Sequence, residues 1–155
     1  MAVNTIICAT KGSKESQVAE DKAIELAKEN NSTLIFLYII DIELLDKGGD
    51  VSEAAIEDLE GGMKNIGNVI LESAIEKAVE KGLNSQNIKK SEVKGNFLEE
   101  IKKQVDQHKA DLVVIGHSLA NKGFLERLLH SKDKPEVFEK KIREAIKCQV
   151  EIVGQ

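Results

Sequence analysis

Tryptophan is absent from this sequence, tyrosine occurs once and phenylalanine four times. Proteins that hold single-stranded nucleic acid stack its bases on aromatic rings, and a chain this poor in them offers no such platform. Basic charge is not in excess either. Lys and Arg number 22 against 27 Asp and Glu, a net charge of −5 that excludes a general polyanion binder and leaves room only for a local basic patch. The longest apolar run, Leu34 to Ile40, is too short to span a bilayer. The first strand pattern begins within a few residues, and no secretory leader is expected. A cytoplasmic location is therefore expected, with neither membrane nor nucleic acid as partner. The two cysteines, Cys8 and Cys148, lie far apart, in or beside strands, and are expected as buried free thiols with no metal-ligand spacing. Internal repeats and low-complexity linkers are also missing, so residues 1–155 are expected to form one domain.

The most informative stretch that is present runs from Ala110 to Ser118. Leu112, Val113, Val114 and Ile115 are apolar without alternation and are bounded by Asp111 and Gly116. Such a run is buried on both faces, as in a central parallel strand. Helical patterns flank it, so it reads as the middle of an α/β sheet wound on both faces, whose ligands bind beyond the carboxyl ends of the strands. Gly116 marks that end.

The other elements fall into an alternating order. Val3 to Ala9 is a first buried strand, followed by a tight turn at Thr10-Lys11-Gly12-Ser13. Ser13 is placed to cap a helix with Glu15 in its first turn, and Val18, Ala19, Ala23, Leu26 and Ala27 give its inner face until Asn30-Asn31 end it. Leu34 to Ile40 is a second strand. Residues 41–62 read as an acidic loop with one or two helical turns. Asp46, Asp50, Glu53, Glu57, Asp58 and Glu60 lack the ligand spacing and central glycine of a calcium loop, so they read as a solvated face. Met63, Ile66, Ile70, Ala74 and Ala78 predict an amphipathic helix closed by Gly82 at C′. Ile88 to Val93 is polar enough for an edge strand. Asn96 and Glu99 match a capping box opening a helix with Leu98, Ile101 and Val105 inward and His108 near its end. Pro135, the one proline, suits the first turn of a last helix carrying Phe138, Ile142, Ala145 and Ile146, and Cys148 to Val153 is the last strand.

Two catalytic or signalling chemistries fail on the residues. His117-Ser118 lies at a strand end, but Leu119-Ala120 follows where a nucleophile elbow needs glycine, and no partner spacing supports a triad. A phosphoacceptor receiver domain needs acidic residues after the first and third strands, where this chain has Thr10-Lys11 and Val93-Lys94.

The chain resembles the universal stress protein family over nearly its whole length. The resemblance is carried by Ile6 to Ser13, by Leu37-Tyr38-Ile39-Ile40-Asp41, by Gly95 with the capped helix and Lys109 to Gly116, and by Lys147 to Val153, where Gln149 replaces a proline. It implies a five-stranded parallel sheet in the order 3-2-1-4-5 and a homodimer through the last strand, Val150 and Ile152 included. Some members bind ATP, using an Asp after the first strand and a glycine pattern after the fourth whose N–H groups wrap the phosphates. Here the Asp position is Lys11. Gly116 supplies the first glycine, but Leu119 stands at the second and Leu129-His130 at the third, with Ser131 one residue beyond. A side chain there obstructs the close backbone approach that glycine permits. The resemblance thus implies a ligand site at Thr10, Lys11, Gly12, Ser13, Ile39, Gly116, His117, Ser118, Gly123 and Ser131, altered from that of the ATP-binding members. No cofactor and no metal are expected, and ATP is disfavoured. The expected function is a non-catalytic stress-response protein with a protein partner of unknown identity, its site holding a small anion or a partner's acidic group. The alternative is a nucleotide-binding member with a divergent phosphate loop.

Overall fold

The computed structural model describes residues 3–41, 52–116 and 135–153. The strands are β1 (Thr5–Ala9), β2 (Thr33–Asp41), β3 (Ile88–Gly95), β4 (Leu112–Gly116) and β5 (Gln149–Val153). The helices are α1 (Lys14–Asn30), α2 (Glu53–Glu80), α3 (Phe97–His108) and α4 (Pro135–Ala145). All strand pairs are parallel, in the order β3-β2-β1-β4-β5. The order reverses between β1 and β4, so the switch point of the sheet lies beyond Ala9 and Gly116.

Alternate residues of the central strands feed two cores. Ile6, Cys8, Leu34, Phe36, Leu112 and Val114 pack against α1 and α2, where Ala19, Ala23, Leu71, Ala74 and Ala78 meet them. Ile7, Ala9, Ile35, Leu37, Val113 and Ile115 pack against α3 and α4 through Ile101, Val105 and Ile142. Burial on both sides explains why β1, β2 and β4 read as continuous apolar runs. The edge strand β3 exposes Lys89, Lys90 and Lys94, and charge of this kind discourages unwanted pairing.

Helix ends follow the local chemistry. Ser13 Oγ accepts from the Ser16 N–H at 3.1 Å, and Asn96 Oδ1 accepts from the Glu99 N–H at 3.1 Å. Asn31 takes the left-handed conformation that ends α1. At the end of α2, Gly82 has φ +101°, with Gly82 N–H donating to the Val79 carbonyl and Leu83 N–H to the Ala78 carbonyl, the paired bonds of a Schellman motif. Pro135 opens α4, as its fixed φ favours.

Three readings of the sequence are corrected. The acidic region does not remain loop up to Gly62: α2 begins at Glu53, capped by Ser52, whose Oγ accepts from the Ala55 N–H at 3.2 Å. Apolar contacts from Ile56 and Met63 to the core hold this extra length despite Gly61 and Gly62, and the acidic first turn suits the helix dipole. In α1, Val18 is 48% exposed and does not face the core; Ser16 and Glu20 are buried in its stead. β3 also runs to Gly95, two residues past the expected end, because its register with β2 continues to Asp41.

Candidate functional site

The crevice at the switch point is built by the turn between β1 and α1 and by the end of β4. Thr10 N–H donates to the Leu37 carbonyl at 2.9 Å, so the chain leaves the sheet only after Thr10. Gly12 then takes φ +81°, and a Cβ there would lie 2.9 Å from Ile70 Cδ1. The backbone conformation favours glycine at this turn, and a Cβ would also push the end of the Ile70 side chain aside. Gly116 is also sterically fixed. A Cβ on it would fall 2.7 Å from the Glu15 carbonyl carbon and oxygen and 2.8 Å from the Ser16 nitrogen. The end of β4 therefore abuts the first turn of α1, as the adjacency of β1 and β4 demands.

The polar groups of the turn are largely engaged inside the protein. Lys11 N–H donates to Ser16 Oγ at 3.2 Å, and Gly12 N–H donates weakly to Thr10 Oγ1 at 3.4 Å. Gln17 Nε2 donates to the Gly12 carbonyl at 3.2 Å. Ser16 N–H and Gln17 N–H are taken by the Ser13 hydroxyl and carbonyl. The Lys14 and Glu15 amides are left at the start of α1 with no intrahelical acceptor, as every helix start leaves some.

Behind the turn lies a charge network that runs from buried Glu20 out to the surface at Asp21 and Lys81, and that the sequence pattern does not announce. Thr10, only 2% exposed, donates from Oγ1 to Glu20 Oε2 at 2.5 Å. The other Glu20 oxygen meets Lys77 Nζ at 2.9 Å, and Lys77 also contacts Asp21 Oδ1 at 3.1 Å. Lys81 closes the network on Asp21 at 3.0 Å. Burial would lower the Lys77 pKa, but its hydrogen bonds to Glu20 and then Asp21 outweigh that and hold the ammonium above its ordinary value. Burial would raise the Asp21 pKa, and the bonds from Lys81 and Lys77 reverse it downward. Cys8, fully buried, has its thiol pushed far up, first by desolvation and then by the Glu20 carboxylate, so it is no nucleophile. The one available sequence signal was polar Ser16 and Glu20 spaced i, i+4 on an otherwise apolar helix face.

Of the expected ligand residues, the structure gathers Thr10, Lys11, Gly12, Ser13 and Gly116 around one crevice. Ile39 lies two residues past the Leu37 carbonyl that Thr10 engages, half-buried on the α3 side of the sheet. His117, Ser118, Gly123 and Ser131 lie outside the described residues. Val150 and Ile152 are on edge strand β5, paired on one side with β4, and Arg143 Nη1 donates to the Val150 carbonyl at 2.7 Å. A groove of about 300 Å³ at the opposite end of the sheet is lined by Val105, Asp106, Lys109, Ala110, Lys147 and Cys148. Burial raises the Cys148 thiol as well. Among the described residues no group of three or more His, Cys, Asp or Glu side chains could hold a metal ion.

An open parallel sheet covered by helices on both faces, with its switch point between β1 and β4, defines a doubly wound α/β protein. The sequence model of the universal stress protein family matches residues 2–133. Universal stress protein YxiE of Bacillus subtilis (strain 168) is 32% identical over 133 residues, covering 83% of this chain and 87% of that protein. The chain belongs to the universal stress protein family. Two solved structures share the fold. One, a universal stress protein in complex with cAMP, is 24% identical with a TM-score of 0.69 over 99% of both chains. The other, a family protein from Arabidopsis thaliana with AMP bound, is 15% identical with a TM-score of 0.59, covering 97% of this chain and 90% of that one.

Proposed function

We propose that this universal stress protein is a non-catalytic, cytoplasmic stress-response protein, acting as a homodimer through β5, whose altered crevice takes a small anion or an acidic group of a partner in place of ATP. The observation that carries this reading is the turn at the end of β1. Lys11 stands where the ATP-binding pattern has an acid, and the Lys11 and Gly12 amides are directed to Ser16 and Thr10. The Cβ side of Gly116 is filled by the backbone of α1, and Leu119 stands where the second glycine of the phosphate pattern would be. These residues do not fit a triphosphate cradle. Lys14 stands at the amino end of α1, whose dipole favours an anion of modest size. Among the described residues no helix is long and apolar enough to cross a membrane, in keeping with the location proposed. The apolar edge of β5, with Val150 and Ile152 on one face, supports pairing with a twofold mate.

A second reading has its own support: the two solved relatives hold cAMP and AMP, nucleotides with a single phosphate. Titration calorimetry with Mg-ATP, AMP, cAMP and inorganic phosphate separates the two. The proposed function requires Mg-ATP to bind no tighter than about 1 mM, near −4 kcal/mol. It also requires phosphate to shift the Gly12, Ser13, Lys14 and Gly116 amides together at low salt, and Lys11→Asp to abolish the shifts. Micromolar AMP or cAMP would establish the second reading, and micromolar ATP would overturn the first. Light scattering at tens of micromolar protein should report a dimer, and a monomer there refutes the β5 interface.

A further inference from the structure

Arg143 covers part of the free edge of β5. Successive residues of a strand send their N–H and C=O groups to opposite sides, so one bond fixes the direction of the rest. Thr33 N–H donates to the Asn4 carbonyl, which turns the even-numbered residues of β1 toward β2 and the odd-numbered ones toward β4. The pairing of Ile7 with Val113, and of Val113 with Val150, carries that alternation across the sheet. Gln149, Glu151 and Val153 therefore bond to β4, while the N–H and C=O groups of Val150 and Ile152 point outward. It is this outward Val150 carbonyl that Arg143 Nη1 takes at 2.7 Å. The helix α4 thus withholds an acceptor that β5 has for a pairing strand.

A second copy paired through β5 about a twofold axis normal to the sheet runs antiparallel and sets outward residues against outward residues. The axis then passes through Val150, Glu151 or Ile152. About Val150, the central bonds run to the two Val150 carbonyls, both held by Arg143. About Glu151, each Ile152 N–H needs that same carbonyl, and the two Glu151 carboxylates stand directly opposite, which is destabilising. About Ile152, the central pair uses only the Ile152 N–H and C=O. Two isoleucines then face each other, and Glu151 stands opposite Val153.

Resting on the dimer through β5 proposed above, we infer that Arg143 sets the register of that interface: the twofold axis passes through Ile152, and the pairings centred on Val150 and Glu151 are excluded. Arg143 is a positioning residue, acting through a backbone acceptor of its own subunit.

The test cross-links the intact chain. Hydrogen-bonded pairs of an antiparallel ladder have Cα atoms about 5.5 Å apart, within reach of a disulfide. Ile152→Cys and Glu151→Cys are each oxidised by air with a copper catalyst, and the links are read by mass spectrometry of peptides. Ile152→Cys joins two copies through the introduced thiols, giving about tenfold more linked dimer than Glu151→Cys. Arg143 is exposed, so Arg143→Leu keeps the fold by circular dichroism while it frees the Val150 carbonyl. Pairing about Val150 then becomes available and brings position 152 opposite Cys148 of the second copy. Ile152→Cys combined with Arg143→Leu therefore gains a link from the introduced thiol to Cys148. More linked dimer from Glu151→Cys, or a pattern indifferent to Arg143→Leu, overturns the register and leaves the β5 dimer standing. A monomer in light scattering, or a dimer that neither cysteine links, overturns the β5 interface and the register with it.

Discussion

Replacing Lys77 by methionine tests the central claim about the turn after β1, that the ion pair of Lys77 with buried Glu20 holds it in place. The Glu20 side chain is 5% exposed, and in Lys77→Met it would keep only the Thr10 hydroxyl as partner. Removing one member of a buried ion pair costs about 3–5 kcal/mol, because the charge left behind has lost its water without compensation. Lys77 itself is 27% exposed, so water reaches the vacated side and the lower end, about 3 kcal/mol, is expected. Glu20→Gln should cost less, about 1–2 kcal/mol, since Lys77 retains Asp21 at 3.1 Å and the amide still accepts from Thr10. The double variant should then be less destabilised than the sum of the two by about 1–2 kcal/mol, the coupling of groups in direct contact. Urea denaturation reads all three. With a slope of about 2 kcal/mol/M, Lys77→Met lowers the midpoint by about 1.5 M. The effect must also travel: Thr10 Oγ1 bonds both Glu20 and the Gly12 N–H, so the Gly12 amide resonance should move in Lys77→Met. A midpoint change below about 0.3 M, strict additivity, or an unmoved Gly12 amide would show that the pair behaves as a surface ion pair.

The remaining expectations are simpler. Gly116→Ala should lose about 2–3 kcal/mol, because its Cβ would meet the Glu15 carbonyl at 2.7 Å and backbone cannot yield as a side chain does; an unchanged urea midpoint would refute the packing of β4 on α1. Lys109 ends α3 at φ +51°, so Lys109→Gly should raise stability by about 1 kcal/mol in the same assay, and a loss would contradict the left-handed cap. The charge network also fixes a pH window. Asp21, held below its ordinary value, contributes fully above about pH 4 and loses its contribution as pH falls through its folded pKa. Lys77, held above its ordinary value, contributes fully below about pH 10.4 and loses its contribution as pH rises through its folded pKa. The difference in midpoint between wild type and Lys77→Met should therefore narrow towards both pH extremes; a difference that grows on either side would refute it.

The sheet was legible because burial on both faces leaves a plain trace. Leu34 to Ile40 and Leu112 to Ile115 are apolar without interruption, and the strand order followed once the family resemblance was seen. Caps were legible for a local reason: the bonds at Ser13, Asn96 and Gly82 that close their helix ends span three to five positions. The start of α2 was not, since two Gly-Gly pairs and a run of acids argue for loop, and what overrides them is tertiary. Ile56 and Met63 reach the core only once the strands under α2, β2 and β3, are in place.

The crevice shows the same division between local and long-range information, with a consequence for what it can bind. That Thr10 to Ser13 form a turn is written in four adjacent residues, but the direction of their hydrogen-bonding groups depends on Glu20 and, through it, on Lys77, which is 67 residues from Thr10 in the chain. A motif comparison inspects the turn and the glycines and cannot see that partner. Yet the partner helps set the chemistry. While Glu20 is paired with Lys77, Thr10 donates to it and also accepts from the Gly12 N–H. The turn thus meets part of its own demand for an acceptor, a demand that an incoming phosphate would otherwise fill. Weakening that internal acceptor should make the turn a better anion site. Thr10→Val is therefore expected to tighten inorganic phosphate binding severalfold in an amide-shift titration at low salt. Weaker binding would mean that the Thr10 hydroxyl itself contacts the anion, and that the inward arrangement does not govern the site.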